Sequence, residues 1–221
     1  MPDRRRPYLL LAAAVVTPLL VGCQLGERPS FNTDPFASGT LTGDVAVDQV
    51  LQALDQTPNG PLTAGYSVLV RFGMLDTSGS VALSGDNRLV TLGNAQWRET
   101  PGFSETCYLD KSKPCVDGLS AEAASDTTLT IDFYGPDAAR RLRRDAQSKI
   151  GPAVASTQNF DGQTATCVEV PLSGDGASIG GTSKYCVLPN GLMALRSDGS
   201  VEVTLALYTD SVDQAVFEPG V

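Results

Sequence analysis

The sequence contains no histidine, and that absence removes much familiar catalytic chemistry. Without imidazole there is no Ser-His-Asp or Cys-His pair, no acid or base titrating near neutral pH in its ordinary state, and no histidine ligand for zinc or haem. No Ser-x-x-Lys offers a lysine-assisted nucleophile, and no Cys-x-x-Cys pair offers a four-thiolate metal site. Aromatic residues are sparse at 6%, with Trp97 the sole tryptophan. Positive charge is also scarce: 16 Lys and Arg face 25 Asp and Glu, a net charge of −9 over 221 residues. A surface of that sign repels phosphates, which argues against a nucleic-acid partner. These absences together predict a non-enzymatic protein with no cofactor and no metal.

What is present begins with an address. Arg4, Arg5 and Arg6 precede an apolar run from Tyr8 to Val21, interrupted by Thr17 and Pro18 and ending at Gly22-Cys23. A basic start followed by a short apolar stretch is the pattern of a signal peptide, and the run falls short of the roughly 20 residues a spanning helix requires. Leu20-Val21-Gly22-Cys23 resembles a bacterial lipobox. That resemblance implies removal of residues 1–22, export, and a diacylglyceryl thioether on Cys23, whose acyl chains, palmitate among them, hold the chain on the extracytoplasmic face of the cell membrane. Without residues 1–22, which hold three arginines and one aspartate, 13 basic residues face 24 acidic ones, a net charge of −11. Residues 23–43, rich in Gly, Pro, Ser and Thr, read as a lipidated tether, and 44–221 as one folded domain.

Four further cysteines, Cys107, Cys115, Cys167 and Cys186, form an even set suited to an oxidising compartment. Three pairings satisfy them; the expected one joins Cys107 to Cys115 around a Lys-Ser-Lys-Pro loop and Cys167 to Cys186 across neighbouring strands. Asp44 is placed to cap a helix reaching about Gln56, with Val47, Val50, Leu51 and Leu54 at three- and four-residue steps. From Tyr66 the period becomes two, through Val68, Val70, Phe72 and Met74, and turns at 76–79 and 84–87 make a meander ending near Leu92. Residues 94–120 read as irregular, and Thr128–Phe133 as a strand. A second helix is expected over Ala138–Ile150, its arginines solvated and Asp145 paired with Lys149 four residues on. Strands follow at 164–171, 184–188, 192–196 and 201–208, with a Gly- and Ser-rich insertion at 173–183. Gly176-Ala177-Ser178-Ile179-Gly180 matches the esterase pattern G-x-S-x-G, but without a strand before it, a helix after it or a histidine elsewhere it is an accident of composition.

The resulting class is α+β: seven or so antiparallel strands in one curved sheet that covers its apolar face with two helices. The order lipobox, tether, helix, Tyr66-Ser67-Val68 meander, cysteine loop, mid-chain helix, Phe160-Asp161-Gly162 to Cys167, Tyr185-Cys186-Val187 and terminal Val216-Phe217 resembles actinobacterial LolA/LprG-like envelope lipoproteins. The resemblance implies a half-barrel wrapped around or roofed by helices, with a cavity for a lipid or other apolar ligand. Val68, Val70, Phe72, Ile131, Phe133, Val203 and Leu205 are then the candidate ligand-lining residues. Arg140, Arg141, Arg143 and Arg144, the one basic block of an acidic domain, are candidate contacts for an anionic lipid headgroup. The alternative on the same fold is a filled core and a surface that docks to or regulates another envelope protein, whose identity the sequence leaves unknown.

Overall fold

The computed structural model describes residues 34–58, 60–71, 74–123, 129–173 and 181–218. The signal peptide, Cys23, Phe72 and the G-x-S-x-G match all lie outside the described residues. Pro35–Val221 forms one compact unit. Part of the expected tether is therefore bound: Ser38 Oγ and Gly39 N–H donate to Asp55, and Thr42 and Gly43 donate to Asp48.

Helix α1 (Val45–Leu54) starts where the extended Asp44 accepts hydrogen bonds from the N–H groups of Ala46 and Val47, and buries Val47, Val50, Leu51 and Leu54. Strands β1 (Leu62–Val70), β2 (Leu75–Ser84), β3 (Asn87–Leu92), β4 (Ala95–Thr100), β5 (Phe103–Tyr108) and β6 (Val116–Asp117) form a meander. Helix α2 (Pro136–Ser148) follows, then a second meander: β7 (Val154–Phe160), β8 (Gln163–Pro171), β9 (Thr182–Val187), β10 (Met193–Ser197) and β11 (Val201–Thr209). The two join through β1 and β11, giving one eleven-stranded sheet in the order β6-β5-β4-β3-β2-β1-β11-β10-β9-β8-β7, with every pairing antiparallel.

The sheet is curved and open. In a flat sheet β7 and β11, with three strands between them, would stand roughly 19 Å apart. Here they touch, and Tyr208 N–H donates to Asp161 at the end of β7, 2.7 Å away. That half rolls around α1, which packs on β7, β8, β9 and α2, while α2 also packs on β9. The turn between β9 and β10 presses on α1 so closely that a Cβ at Gly191, with φ +88°, would lie 2.8 Å from the Ala53 carbonyl oxygen. The other half receives the C-terminal 3₁₀ turn Gln214–Phe217 against β3 and β4.

Several sequence expectations require correction. Residues 94–120 hold β4, β5 and β6 rather than irregular chain, and β7 forms where the sequence carries no strand alternation. The strand expected over Thr128–Phe133 is instead a turn in its described part, closed by hydrogen bonds from Phe133 N–H to the Thr130 carbonyl and from Gly135 N–H to the Asp132 carbonyl. Its alternation is real but local, since Leu129 and Phe133 are both buried from a coil. Helix α2 also begins earlier and ends earlier than the pattern suggested, because Pro136 suits a first helical turn and Ile150 N–H is drawn to the Pro171 carbonyl.

Candidate functional site

The alternation of β1 and β11 points Tyr66, Val68 and Val70 to the same side as Val201, Val203 and Leu205, with Val68 opposite Val203 across the pairing. Val68 and Val203 are 0% exposed, and Val70, Leu205 and Phe133 at most 4%. All five belong to the buried apolar core. What fills the interior is visible. Phe133 meets the Tyr66 ring edge-on at 5.2 Å and the Tyr134 ring at 6.1 Å, and a Cβ at Gly79 would approach it to 3.1 Å. The Tyr66 hydroxyl donates to the Met193 carbonyl at 2.9 Å, and burial pushes its pKa well above the ordinary tyrosine value. Trp97 is buried too, its indole N–H donating to the Ser120 carbonyl.

Ile131, half-buried, packs against the rim of that core. It lines a surface hollow of about 450 Å³ between the end of α1 and the start of α2, with Phe36, Leu54, Asp55, Asp132 and Arg140. The carboxylates around this hollow are engaged. Asp55 pairs with Arg143, Asp132 with Arg88 at 2.5 Å, and Asp137 with Arg141 at 2.8 Å. It therefore presents an apolar floor and neutralised walls rather than a converging set of catalytic groups.

The four arginines of α2 do not act as one patch. Arg143 is 2% exposed and reaches inward to Asp55 and the Thr40 carbonyl, tying α2 to α1 and to the chain before it; it is no headgroup contact. Arg141 pairs with Asp137 four residues earlier. Arg140 and Arg144 are exposed and share a recess with Phe36. The expected Asp145–Lys149 pair is replaced by two longer-range contacts. Asp145 is buried and accepts from the Tyr185 hydroxyl at 2.7 Å, while Lys149 bonds Asp44 and thereby lowers its carboxyl pKa.

Below α2 lies a polar group that the sequence did not reveal. Arg196, 2% exposed, pairs with Asp198 at 2.9 Å and approaches Asp137 at 3.8 Å. Burial raises the Asp198 carboxyl, but hydrogen bonds from Ser200 and Val201 and the charge of Arg196 outweigh it and bring the pKa down to about 2. Arg196 and Asp198 are only two residues apart, but the approach to Asp137 joins the end of β10 to α2 across distant sequence, and no local spacing signals it.

The structure joins Cys107 to Cys115 and Cys167 to Cys186. The second bridge is fully buried between facing positions of β8 and β9; the first lies at the surface beside a hollow of about 430 Å³. Glu105 stands near the first bridge, but its two sulfurs are bonded to each other, so the trio is no metal site. Both bridges fit an extracytoplasmic compartment. Among the described residues no helix is long and apolar enough to cross a membrane.

No protein-family model matches the chain, and no curated protein does. Among solved structures it is similar to a chain of the MucA/MucB complex of Pseudomonas aeruginosa, with a TM-score of 0.49 and 8% identity over 79% of this chain and 61% of that one. A DUF1329 family protein from Desulfovibrio piger aligns with a TM-score of 0.34 and 9% identity, over 79% of this chain and 96% of that one. Neither likeness is close enough to carry an argument about what this chain does.

Proposed function

We propose that the chain is a LolA/LprG-like envelope lipoprotein, exported and anchored through Cys23, that works by binding another envelope component at its surface while its interior stays filled. The observation that carries this reading is the burial of Val68 and Val203 at 0% exposure, in the middle of the faces a lipid would need. The lipobox resemblance and the paired cysteines support the location; the absence of histidine and the neutralised carboxylates around the hollow between α1 and α2 support a non-enzymatic role.

Two measurements test it. Protein purified from its own envelope should carry no lipid in native mass spectrometry and take up no fluorescent fatty acid. Val203→Trp should cost about 1–3 kcal/mol of stability, as overfilling a packed core does. A co-purified lipid, or a tryptophan accepted at no cost while uptake is blocked, would restore the carrier reading. Separately, Cys23→Ser should move the protein from the detergent phase to the aqueous phase; retention in detergent would reject the anchor.

A further inference from the structure

The two outer strands of the sheet differ in how they meet solvent, and β7 has the features of a docking edge. Among the described residues only β8 pairs with it as a strand, and beyond the Phe160 end, where β7 touches β11 and Asp161 accepts from Tyr208 N–H, its far side carries N–H and C=O groups with no ladder partner over residues 154–159. Edges of that length are ordinarily guarded by a charge, a proline, a bulge or a covering segment. Val154-Ala155-Ser156-Thr157-Gln158-Asn159-Phe160 contains no charge and no proline, and its register with β8 runs without a shift from Val154–Glu169 to Phe160–Gln163. All of these residues except Phe160 are exposed, on both faces of the strand. At its start stand two large exposed apolar side chains, Ile150 at 66% and Val154 at 58%.

We propose that a second copy of this chain adds its own β7 to this edge, antiparallel about a twofold axis. Overlap of residues 155–159 sets Thr157 opposite the Thr157 of the other copy, Ser156 opposite Gln158 and Ala155 opposite Asn159. Every such pair is uncharged and able to pack or hydrogen-bond across the strands, so the strand complements itself. Lack of charge matters here because each mature copy carries −11, and a charged edge would add contact repulsion to that field. Strand addition of this size buries less than the roughly 1,200 Å² expected of a stable soluble dimer. It suits copies held on one membrane, where anchoring raises the effective concentration and a weak contact suffices. The proposal rests on the surface-binding reading above and names its contact.

The test uses the full-length protein in its own membrane. Thr157→Cys should give a disulfide-linked homodimer on non-reducing gels at least ten-fold above Gln147→Cys, which places a thiol on the exposed face of α2. Adding Ser156→Glu and Gln158→Glu, which set carboxylates against one another across the axis, should cut that yield at least ten-fold. Ser156→Glu with Gln158→Lys sets opposite charges against each other and should restore it, with circular dichroism unchanged in all variants. Cross-linking no stronger than the α2 control, capture of a different protein by the introduced thiol, or a yield indifferent to the charge pattern would each overturn the pairing. Failure of the surface-binding reading registers elsewhere, as lipid in the interior, with the cross-link unaffected.

Discussion

The two ends of the sheet are built on opposite plans. At one end β6 is two residues long, carries Asp117, and is preceded by a loop pinned by an exposed disulfide and bearing Lys111 and Lys113. At the other, β7 is seven residues long and uncharged, while behind it lie a buried disulfide, two helices and ion pairs removed from solvent. The first end is closed at its rim and lightly covered. The second is heavily braced within and open at its rim. Bracing and edge protection are therefore separate requirements: packing behind a strand does nothing for the backbone groups on its outer side.

If the internal bracing is what holds the second end, removing it should hurt more than changing an exposed neighbour. Arg143→Ala removes the buried guanidinium that ties α2 to Asp55 and the Thr40 carbonyl, leaving Asp55 with Ser38 and Gly39 as its donors, and should cost about 1–3 kcal/mol in urea unfolding, against less than about 0.5 kcal/mol for the exposed neighbour Arg144→Ala. Equal effects would mean that the helices are held by apolar packing alone.

The disulfides offer the next contrast. Replacing Cys167 and Cys186 with alanine removes a bridge of sequence separation 19, and replacing Cys107 and Cys115 one of separation 8. Chain-entropy arithmetic gives roughly 3.3 and 2.6 kcal/mol. Dithiothreitol followed by alkylation and mass mapping should open the exposed bridge first; the reverse order would break the comparison between a lightly covered and a braced end.

The smallest expected effect sharpens the middle of the sheet, between β10 and β11. The Asp198 carboxyl is depressed from 3.8 to about 2 in the folded protein, so its contribution to stability is full above about pH 4 and is lost as pH falls toward 2. Asp198→Asn should flatten the acid limb of the stability curve across that window and leave its neutral limb parallel to wild type. An unchanged acid limb would show that Asp198 titrates alike in the folded and unfolded chains.

How much of this was legible in the sequence depends on whether a residue's partner is local. Helix α1 could be read because its cap and apolar stripe lie within eleven residues, Asp44 to Leu54. The Tyr66 meander could be read because one face is buried and the side chains alternate accordingly. Strand β7 escaped because almost none of it is buried, so no alternation marks it. Strand β4 escaped because its apolar alternation is only Ala95 and Trp97 before Glu99, paired with Arg88, ends it, and because Arg98 on the other face is buried against Glu105. Residues 129–133 misled in the other direction, alternating like a strand while forming a turn. The arginines of α2 looked like a uniform basic face, yet Arg143 is drawn inward by Asp55, 88 residues earlier. The faces holding Val68 and Val203 were recognised as apolar, but periodicity cannot distinguish a filled interior from an empty one.

The seam between β1 and β11 also fixes when the protein can finish folding. It pairs Val68 with Val203 and Thr63 with Thr209, so a strand made early must wait for one near the chain's end. Until residues 201–209 arrive, β1 and β10 each present a bare inner edge, and neither meander closes its share of the core. Contacts so distant along the chain place folding toward the slow, millisecond-to-second end of single-domain behaviour. The chain is thus exposed to wrong strand partners until β11 is in place, and a truncation that spares α1, α2, the two disulfides and β1 to β10 would still leave the domain unsealed.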